Sequence, residues 1–279
     1  MVFRAGEGVG TVTLAGLPIP PGEPAINPVP RQMVRAAIAE VASAHSGSGD
    51  VEVEIAIPGG EELATRTLNG RLGIVGGLSI LGTTGMVIPY SCSAWIHSIH
   101  RGIDVARAAG VTHVAAATGS ASEAAIKQFH DLPDLALLDM GDFVGGTLKY
   151  LRRHPVERVT IAGGIAKITK LAQGLLDLHS KRGAVDRVAL AALVEEGGGS
   201  VALRERILAA NTTPEAFGYA AEENIRLGDA IAQRAWDTAA AVLAVTDSAL
   251  EIAVFDRDGR LVGHAPFAPA HAVPPRKRR

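Results

Sequence analysis

Two adjacent threonines between two glycines form the most chemically suggestive loop of the sequence: Gly82, Thr83, Thr84 and Gly85. Glycine is favoured where the backbone must adopt a positive φ or come close to a ligand. Such a loop offers backbone N–H groups and two hydroxyls in a small space, which suits a polar ligand. The same composition is typical of a tight connection between strands or subdomains, so the sequence leaves both interpretations open.

A glycine and an acid follow two predicted strands at a spacing known from nucleotide-binding folds. Gly119 follows the strand predicted at residues 112–117, and Asp139 ends the next one, 20 residues later. This is roughly the separation at which such folds present glycine to the ligand and an acid to its ribose. The full Gly-x-Gly-x-x-Gly fingerprint is absent, which favours a nucleoside without a pyrophosphate, such as S-adenosylmethionine. Capping of the helix predicted from residue 141 is an equal alternative for Asp139.

A third polar group opens the helix predicted at residues 165–178. Gly163 and Gly164 precede that helix, and Lys167 and Lys170 lie one turn apart on it. Free N–H groups at a helix start and two lysines could bind an anion, and a carboxylate-rich substrate would suit them. A solvated lysine face is the alternative, and the Walker A spacing is missing.

Histidines give weaker signals. His179 follows the same predicted helix, where a C-terminal capping role competes with a catalytic one. His97 and His100 lie three residues apart on a predicted helix with Cys92 upstream, which is weak support for a metal, and we predict no metal site. No hydrolase elbow of the Gly-x-Ser-x-Gly type is present.

The elements that would position these residues fall into two regions. The first, residues 1–89, has α+β character, with a helix predicted at 31–45 and strands at 51–57 and 62–75. In the second, residues 90–270, a helix capped by Ser91 leads into alternating strands and helices. That alternation predicts a Rossmann-like parallel α/β fold with right-handed crossovers. A mostly helical segment at 185–244, a closing hairpin at 250–264 and a basic, disordered tail at 271–279 complete the prediction.

Composition restricts the class of protein. The chain has 279 residues, 47% hydrophobic and 20% charged, with a formal net charge of −2. These values are ordinary for a globular protein and argue against general binding to nucleic acid or to a membrane. The single cysteine, Cys92, excludes an internal disulfide and fits a reducing, cytoplasmic setting.

Several motifs, in this order along the chain, resemble those of the cobalt-precorrin-5B C1-methyltransferase family, CbiD. The residues that carry the resemblance are segments 23–31, 79–85, 142–145, 163–167 and 179–180. The family's usual Gly-His-x-Gly-Lys reads Gly-Gly-Ile-Ala-Lys at 163–167, so a histidine at position 164 is not required. Many members have a basic residue where Asp139 stands, which weakens the ribose argument, and an asparagine where Asp142 stands. The family normally has a further N-terminal segment, so a shortened form or a misassigned start is expected.

The resemblance implies transfer of a methyl group from S-adenosylmethionine to C-1 of a cobalt-corrinoid substrate during anaerobic cobalamin synthesis. On this hypothesis the 82–85 loop, Gly119 and Asp139 approach the donor. Gly163, Gly164, Lys167, Lys170 and Arg31 meet the substrate and its carboxylates, and Asp142 and His179 handle any proton. Cobalt enters only as part of the substrate. The sequence leaves open a homo-oligomer.

Two other classes of function remain open at this point. One is a nucleotide-dependent oxidoreductase or kinase that uses the same α/β crevice, although the dinucleotide and P-loop fingerprints are missing. The other is a non-catalytic tetrapyrrole-binding or remnant protein.

Overall fold

The computed structural model describes residues 1–81, 91–243 and 246–272. It divides into two compact units, Met1–Gly110 and Val111–Arg279. Helix α3 (Cys92–Ala108) therefore belongs to the first unit, whereas the sequence analysis placed residues 90–110 in the second region. Within the described ranges, no helix is both long and apolar enough to cross a membrane.

The first unit is built from short strands and helices, as expected for an α+β region. Its other elements are β1 (Val2–Ala5), β2 (Thr11–Val12), α1 (Pro28–Ala44), β3 (Glu52–Ile55), α2 (Gly60–Ala64) and β4 (Ile74–Val75). Strand β1 pairs in parallel with β3, and β2 pairs antiparallel with β4. Each pair covers a small apolar cluster, one around Phe3 and Ile26 and the other around Val12 and Ala25.

The strand predicted at residues 62–75 is largely wrong. The end of helix α2, turns and a 3-10 turn, Gly70–Leu72, occupy most of that segment, and the only strand in it is β4. Two glutamates in the first turn of α2 favour the helix, since acidic side chains stabilise a helix N-terminus. Gly73, with φ of 71°, ends the 3-10 turn and leads into β4.

The second unit contains a five-stranded sheet of order β6-β5-β7-β8-β9. Its strands are β5 (His113–Ala117), β6 (Leu137–Asp139), β7 (Arg158–Gly164), β8 (Ala249–Phe255) and β9 (Leu261–Pro269). All neighbouring pairs are parallel except β8 and β9, which form the predicted closing hairpin. The Rossmann-like α/β prediction is thus confirmed.

Helices cover both faces of this sheet. The helices of the second unit are α4 (Ser120–His130), α5 (Val144–Arg153), α6 (Ile165–Ala172), α7 (Arg187–Glu196), α8 (Val201–Ala209), α9 (Thr213–Glu222) and α10 (Leu227–Leu243). Because the chain runs from β5 outward to β6 and then back past β5 to β7, right-handed crossovers put α4 on one face and α5 and α6 on the other. Helix α10 packs against α5, α6 and β8 on that second face.

Two helices of the second unit are shorter than predicted. Helix α5 begins at Val144, not at residue 141, because Gly141 adopts φ of 57° in the turn that follows β6. Helix α6 ends at Ala172, not at residue 178, and Gly174, with φ of 89°, turns the chain away from it. Of the predicted basic tail, residues 273–279 lie outside the described part of the chain.

Candidate functional site

The carboxyl ends of β5 and β7 form the topological switch point of the sheet. The chain leaves β5 through α4 toward β6, which lies on one side of β5. It leaves β7, starting with α6, toward β8, which lies on the other side, so α4 and α6 leave in opposite directions. In open α/β sheets, ligands bind in the crevice at such a point. The residues that line it here are Thr118 and Gly119 after β5, and Gly163 and Gly164 at the end of β7.

Glycine is required at position 163 because the two chain segments are close. The Thr118 amide donates to the Ala162 carbonyl over 2.9 Å. A Cβ on Gly163 would lie 2.7 Å from Ile168 Cδ1 and 2.8 Å from Thr118 Oγ1, closer than side chains pack. The glycine therefore lets the β7 end pass directly beside the β5 loop.

Gly119 and Gly164, in contrast, face open space. Among the described residues, no heavy atom would lie within 4 Å of a Cβ at either position. Gly119 precedes α4 and Gly164 precedes α6, and neither helix start is satisfied by a cap side chain. N–H groups at such helix starts attract anionic or polar ligand groups. The structure thus brings together Gly119 and the Gly163–Gly164 pair, which the sequence analysis assigned to donor and to substrate.

Asp139 ends β6, the strand next to β5, opposite Ala117. The next two amides, those of Met140 and Gly141, both donate to the Ala117 carbonyl, which holds the chain close to the β5 loop. The alternative that Asp139 caps the following helix is wrong, because the N-cap of α5 is Phe143. Asp139 keeps the position from which an acid reaches a ribose in nucleotide-binding folds.

The two lysines of α6 are engaged, so the alternative of a solvated lysine face is wrong. Lys167 pairs with Asp142, and its Nζ lies 3.4 Å from the Leu178 carbonyl oxygen. Lys170 is 7% exposed, and its Nζ donates to the same carbonyl over 3.1 Å. Lys167 remains 35% exposed and thus keeps access to solvent beside the Asp142 carboxylate.

The segment after α6, residues 174–180, is fixed against the loop that precedes α5. The Leu178 amide donates to the Asp142 carbonyl over 2.9 Å, and the Gly145 amide donates to Leu176 over 2.8 Å. Gln173 and Asp186 exchange two hydrogen bonds, of 2.8 and 2.9 Å, across the base of this loop. Together with Lys170, these contacts hold the loop beside the Lys167–Asp142 pair.

His179 lies next in the chain after Leu178 and is exposed. The prediction that it caps the C-terminus of a helix reaching residue 178 is wrong, because α6 ends six residues earlier, at Ala172. Its own amide donates to Asp177 Oδ1 over 3.1 Å, and its ring Nδ1 accepts from the Lys181 amide over 3.2 Å. The ring's Nε2 is therefore the atom through which His179 could exchange a proton.

The remaining predicted contacts are Arg31 and the loop at residues 82–85. Arg31 lies in the first unit, where its guanidinium donates to Glu23 and to the carbonyls of Pro24 and Ile26 at 2.8–2.9 Å and stacks on Phe3 at 5.3 Å. These contacts give Arg31 a structural role there. The loop formed by residues 82–85 lies outside the described residues.

A buried polar cluster near the amino-terminal end of the same sheet escaped the sequence analysis. Glu251 of β8 accepts hydrogen bonds from Thr160 (2.7 Å), His130 (2.6 Å) and His264 (2.9 Å). His113 contacts the Thr160 hydroxyl at 2.8 Å. The one signal in the sequence was a glutamate inside the otherwise apolar strand 250–255. The three histidines of the cluster come from α4, β5 and β9, and no local pattern reveals that they meet.

Burial and hydrogen bonding shift two pKa values in this cluster. Burial, assisted by the nearby His130 and Arg158, lowers the pKa of His113 to about 4. Burial alone would raise the pKa of Glu251, but hydrogen bonds from His264, Thr160 and His130 outweigh it and hold that pKa below its usual range. At neutral pH the cluster therefore contains a neutral His113 beside an ionised Glu251.

Comparison with known proteins places the chain in a family. The family model CbiD matches residues 1–89, and the model for the CbiD C-terminal domain matches residues 177–266. A protein of Bradyrhizobium sp. (strain BTAi1 / ATCC BAA-1182), named cobalt-precorrin-5B C(1)-methyltransferase, is 62% identical over 279 residues, which is 100% of this chain and 74% of that protein. The chain belongs to the CbiD family. The resemblance carried by its motifs is confirmed.

Two further relatives carry the same name. A protein of Agrobacterium fabrum with the same name is 60% identical and covers 99% of this chain and 72% of its own length, and one of Halorhodospira halophila is 57% identical over 95% and 71%. A crystal structure of the cobalamin biosynthesis protein CbiD from Archaeoglobus fulgidus matches at 25% identity with a TM-score of 0.27. That match covers 64% of this chain and 55% of the other.

The two CbiD family models leave residues 90–176 between them. That interval contains the switch-point glycines, Asp139, Asp142 and both lysines of α6. The relative from Bradyrhizobium nevertheless aligns over the whole chain, so this interval is shared within the family.

Proposed function

We propose that this CbiD protein transfers a methyl group from S-adenosylmethionine to C-1 of cobalt-precorrin-5B. The observation that carries the reaction is the name shared by relatives of 57–62% identity that align along nearly the whole chain. The switch-point crevice supports the use of a nucleoside donor, because it combines open glycines, two helix starts and an acid on the neighbouring strand.

The donor's nucleoside is proposed to lie over the carboxyl ends of β5 and β6. Gly119 would allow close approach, since a Cβ there points into open space. Asp139 would accept hydrogen bonds from the ribose hydroxyls. The 82–85 loop stays a proposed donor contact on the basis of its composition alone.

The corrinoid's carboxylates are proposed to meet the protein beside α6. Lys167 is the accessible cation, and a charge-assisted hydrogen bond from it to a carboxylate would orient the macrocycle. Gly163 and Gly164 offer close approach at the start of α6. We assign Lys170 a positioning role because its buried amine holds the Leu178 carbonyl, and we assign Arg31 no substrate contact because its donors serve the first unit.

The chain's contribution to the reaction is mainly alignment. The donor, when bound, supplies an electrophilic methyl carbon for attack by C-1. The protein has to hold both partners in line and exclude water, which can account for a large part of the rate. Any proton released would pass to the Asp142 carboxylate, held by Lys167, or to Nε2 of His179.

The decisive test is anaerobic incubation of the chain with cobalt-precorrin-5B and methyl-labelled S-adenosylmethionine, followed by mass spectrometry. Gain of one labelled methyl at C-1 is the expected result. Binding of the corrinoid without any methyl transfer would overturn the proposal in favour of a tetrapyrrole-binding protein. Binding of NADH or ATP, but not of S-adenosylmethionine, would indicate a different class of enzyme.

The contact with the substrate can be tested separately. Lys167→Ala should weaken corrinoid binding by about tenfold, since a charge-assisted hydrogen bond contributes roughly 1.5–3 kcal/mol. Lys149→Ala, at an exposed position of α5, is the matched control and should bind as the wild type does. Equal binding by the two variants would remove Lys167 from the substrate site.

A further inference from the structure

The buried polar cluster near the amino-terminal end of the sheet has the geometry of a metal site. We propose that it binds one divalent metal ion of the zinc class through two imidazoles and one carboxylate: His113, His130 and Glu251. Their potential ligand atoms all lie within 4.8 Å of one another. They come from β5, from the last residue of α4 and from β8, so the folded sheet is what brings them together.

The donor set matches the chemistry of zinc. Imidazole nitrogen and carboxylate oxygen are ordinary zinc ligands at about 2.0–2.2 Å, and three protein ligands leave a fourth position for water. Two of the ligand atoms, His130 Nε2 and Glu251 Oε2, share a hydrogen bond of 2.6 Å, so they would separate slightly to admit an ion between them.

Charge also favours a cation at this point. The side chain of Glu251 is only 3% exposed, and both of its carboxylate oxygens accept hydrogen bonds, from Thr160, His130 and His264. Within the described residues, its ion-pair partners are His130 and His264, which are charged only when protonated. A buried carboxylate is stabilised by a full positive charge or by a metal. A dication would supply that charge without requiring protonated histidines.

The proton positions are consistent with this exchange. Since the carboxylate only accepts, Thr160 and His130 donate to it, and His113 donates through Nε2 to the Thr160 oxygen. On metal binding, His113 and His130 would carry their hydrogen on Nδ1 and offer the Nε2 lone pair. Moving the hydrogen from Nε2 to Nδ1 within each ring involves no net loss of a proton.

Outer groups already orient the proposed ligands. His264 donates to the second oxygen of Glu251 over 2.9 Å, and its own amide donates to Asp229 over 3.0 Å. Phe267 contacts both ligand histidines, with ring centroids 5.2 and 5.7 Å away. Such outer partners fix the orientation of metal ligands. The side chains of His130 and His264, 20% and 29% exposed, provide a route for the ion.

The test is a zinc titration of the full chain after treatment with a chelator, with a chromophoric zinc chelator as competitor. The expected result is one zinc ion per chain, and cobalt(II) in its place should give the intense visible bands of a four-coordinate site. His130→Ala should lower zinc affinity by at least about tenfold, as loss of even an outer partner commonly costs 10–100-fold. His154→Ala, at a histidine stacked on Tyr150 in the same unit, is the matched control.

A second variant distinguishes loss of a metal ligand from misfolding. His130→Gln keeps an N–H donor that can reach Glu251 but removes the imidazole lone pair, and circular dichroism would verify its fold. It should lose zinc affinity as His130→Ala does. Absence of stoichiometric zinc binding by the wild type, or equal binding by His130→Gln and the His154→Ala control, would overturn the proposal and leave a closed hydrogen-bonded network. The measurement needs no corrinoid, so its outcome is independent of the proposed methyl transfer.

Discussion

The two ends of the sheet in the second unit are built from the same strands but differ in what occupies the space beside them. Near the amino end, side chains fill the space, and every polar atom of Glu251 has a partner. At the carboxyl end, glycines remove side chains, and the space above Gly119 and Gly164 is open. The difference teaches that the sheet offers two kinds of binding environment: uncovered backbone N–H groups at the carboxyl end and converging side chains at the amino end.

The contrast runs along one face of the sheet. Thr160 and Glu251 are paired in register, as are Ala162 and Ala253 and then Gly164 and Phe255. Alternate residues of a strand share a face, so these pairs form a gradient from polar to apolar beneath α4. The apolar portion joins Ile126 of α4 in a buried cluster. The polar cluster is therefore sealed from the crevice by a layer of alanines.

The largest effect is expected from removal of the carboxylate at the amino end. Glu251→Ala leaves several donors without their acceptor and should lower the free energy of unfolding by at least about 3 kcal/mol. Urea unfolding can be followed by the fluorescence of Trp236, which is buried and donates to the Leu250 carbonyl over 2.8 Å. A Trp95→Phe background removes the tryptophan of the first unit. Glu222→Ala, at an exposed ion pair, should cost less than about 1 kcal/mol.

Acid should weaken the same end of the sheet. The pKa of His113 is about 4 in the folded protein against 6.5 for the free group, so the unfolded chain takes up a proton first. The contribution of neutral His113 to the free energy of unfolding is present above pH 6.5. It is lost as the pH falls from 6.5 to 4, by about 3 kcal/mol in total. The free energy of unfolding, measured at several pH values with a chelator present, should fall with pH over this range. In His113→Gln the dependence on pH should be flatter. An unchanged slope in that variant would contradict the assignment.

At the carboxyl end, crowding should make one glycine sensitive. Gly163→Ala places a methyl group 2.7 Å from Ile168 Cδ1 and 2.8 Å from Thr118 Oγ1, so the loops must separate. We expect a loss of about 1–3 kcal/mol in stability, typical of overpacking. Urea unfolding with the same fluorescence reporter measures it. Stability equal to that of the wild type would mean that the two segments are not packed as described.

Substitution of Gly119 is expected to have the smallest effect on stability but a clear effect on binding of S-adenosylmethionine. Gly119 is extended, with φ of 170°, and has open space around it, so Gly119→Ala should change stability by no more than about 0.5 kcal/mol. If the donor lies there, affinity for S-adenosylmethionine should fall by about tenfold, or 1.4 kcal/mol. Calorimetric titration measures this. Wild-type affinity in the variant would move the donor site away from β5.

Much of the second unit could be predicted because its pattern is local. Buried apolar runs alternate with amphipathic segments, and the strand predicted at residues 112–117 agrees within one residue with β5 (His113–Ala117). Where helix lengths differ, a glycine with positive φ ended or delayed the helix, as at Gly141 and Gly174. A glycine's φ depends on the tertiary turn that it serves, so its effect could not be read from composition.

The candidate site was predictable only in part for the same reason. Strand ends mark the crevice, so Gly119, Asp139 and Gly163 could be selected from the sequence. The burial of Lys170 depends on how residues 174–180 fold back, and the polar cluster depends on contacts over as many as 121 positions, from His130 to Glu251. Such contacts are set by strand order, which the sequence analysis did not derive.

The position of Glu251 also bears on how the sheet assembles. Strand β8 is otherwise apolar, and either of its faces could in principle be buried. A slip of one residue against β7 would turn the carboxylate toward the face covered by α6 and α10, away from its histidines. That pairing would bury an uncompensated charge, so the misaligned intermediate would be short-lived. Glu251 thus favours the correct register of β8 during folding, because the apolar residues around it would allow either face of the strand to be buried.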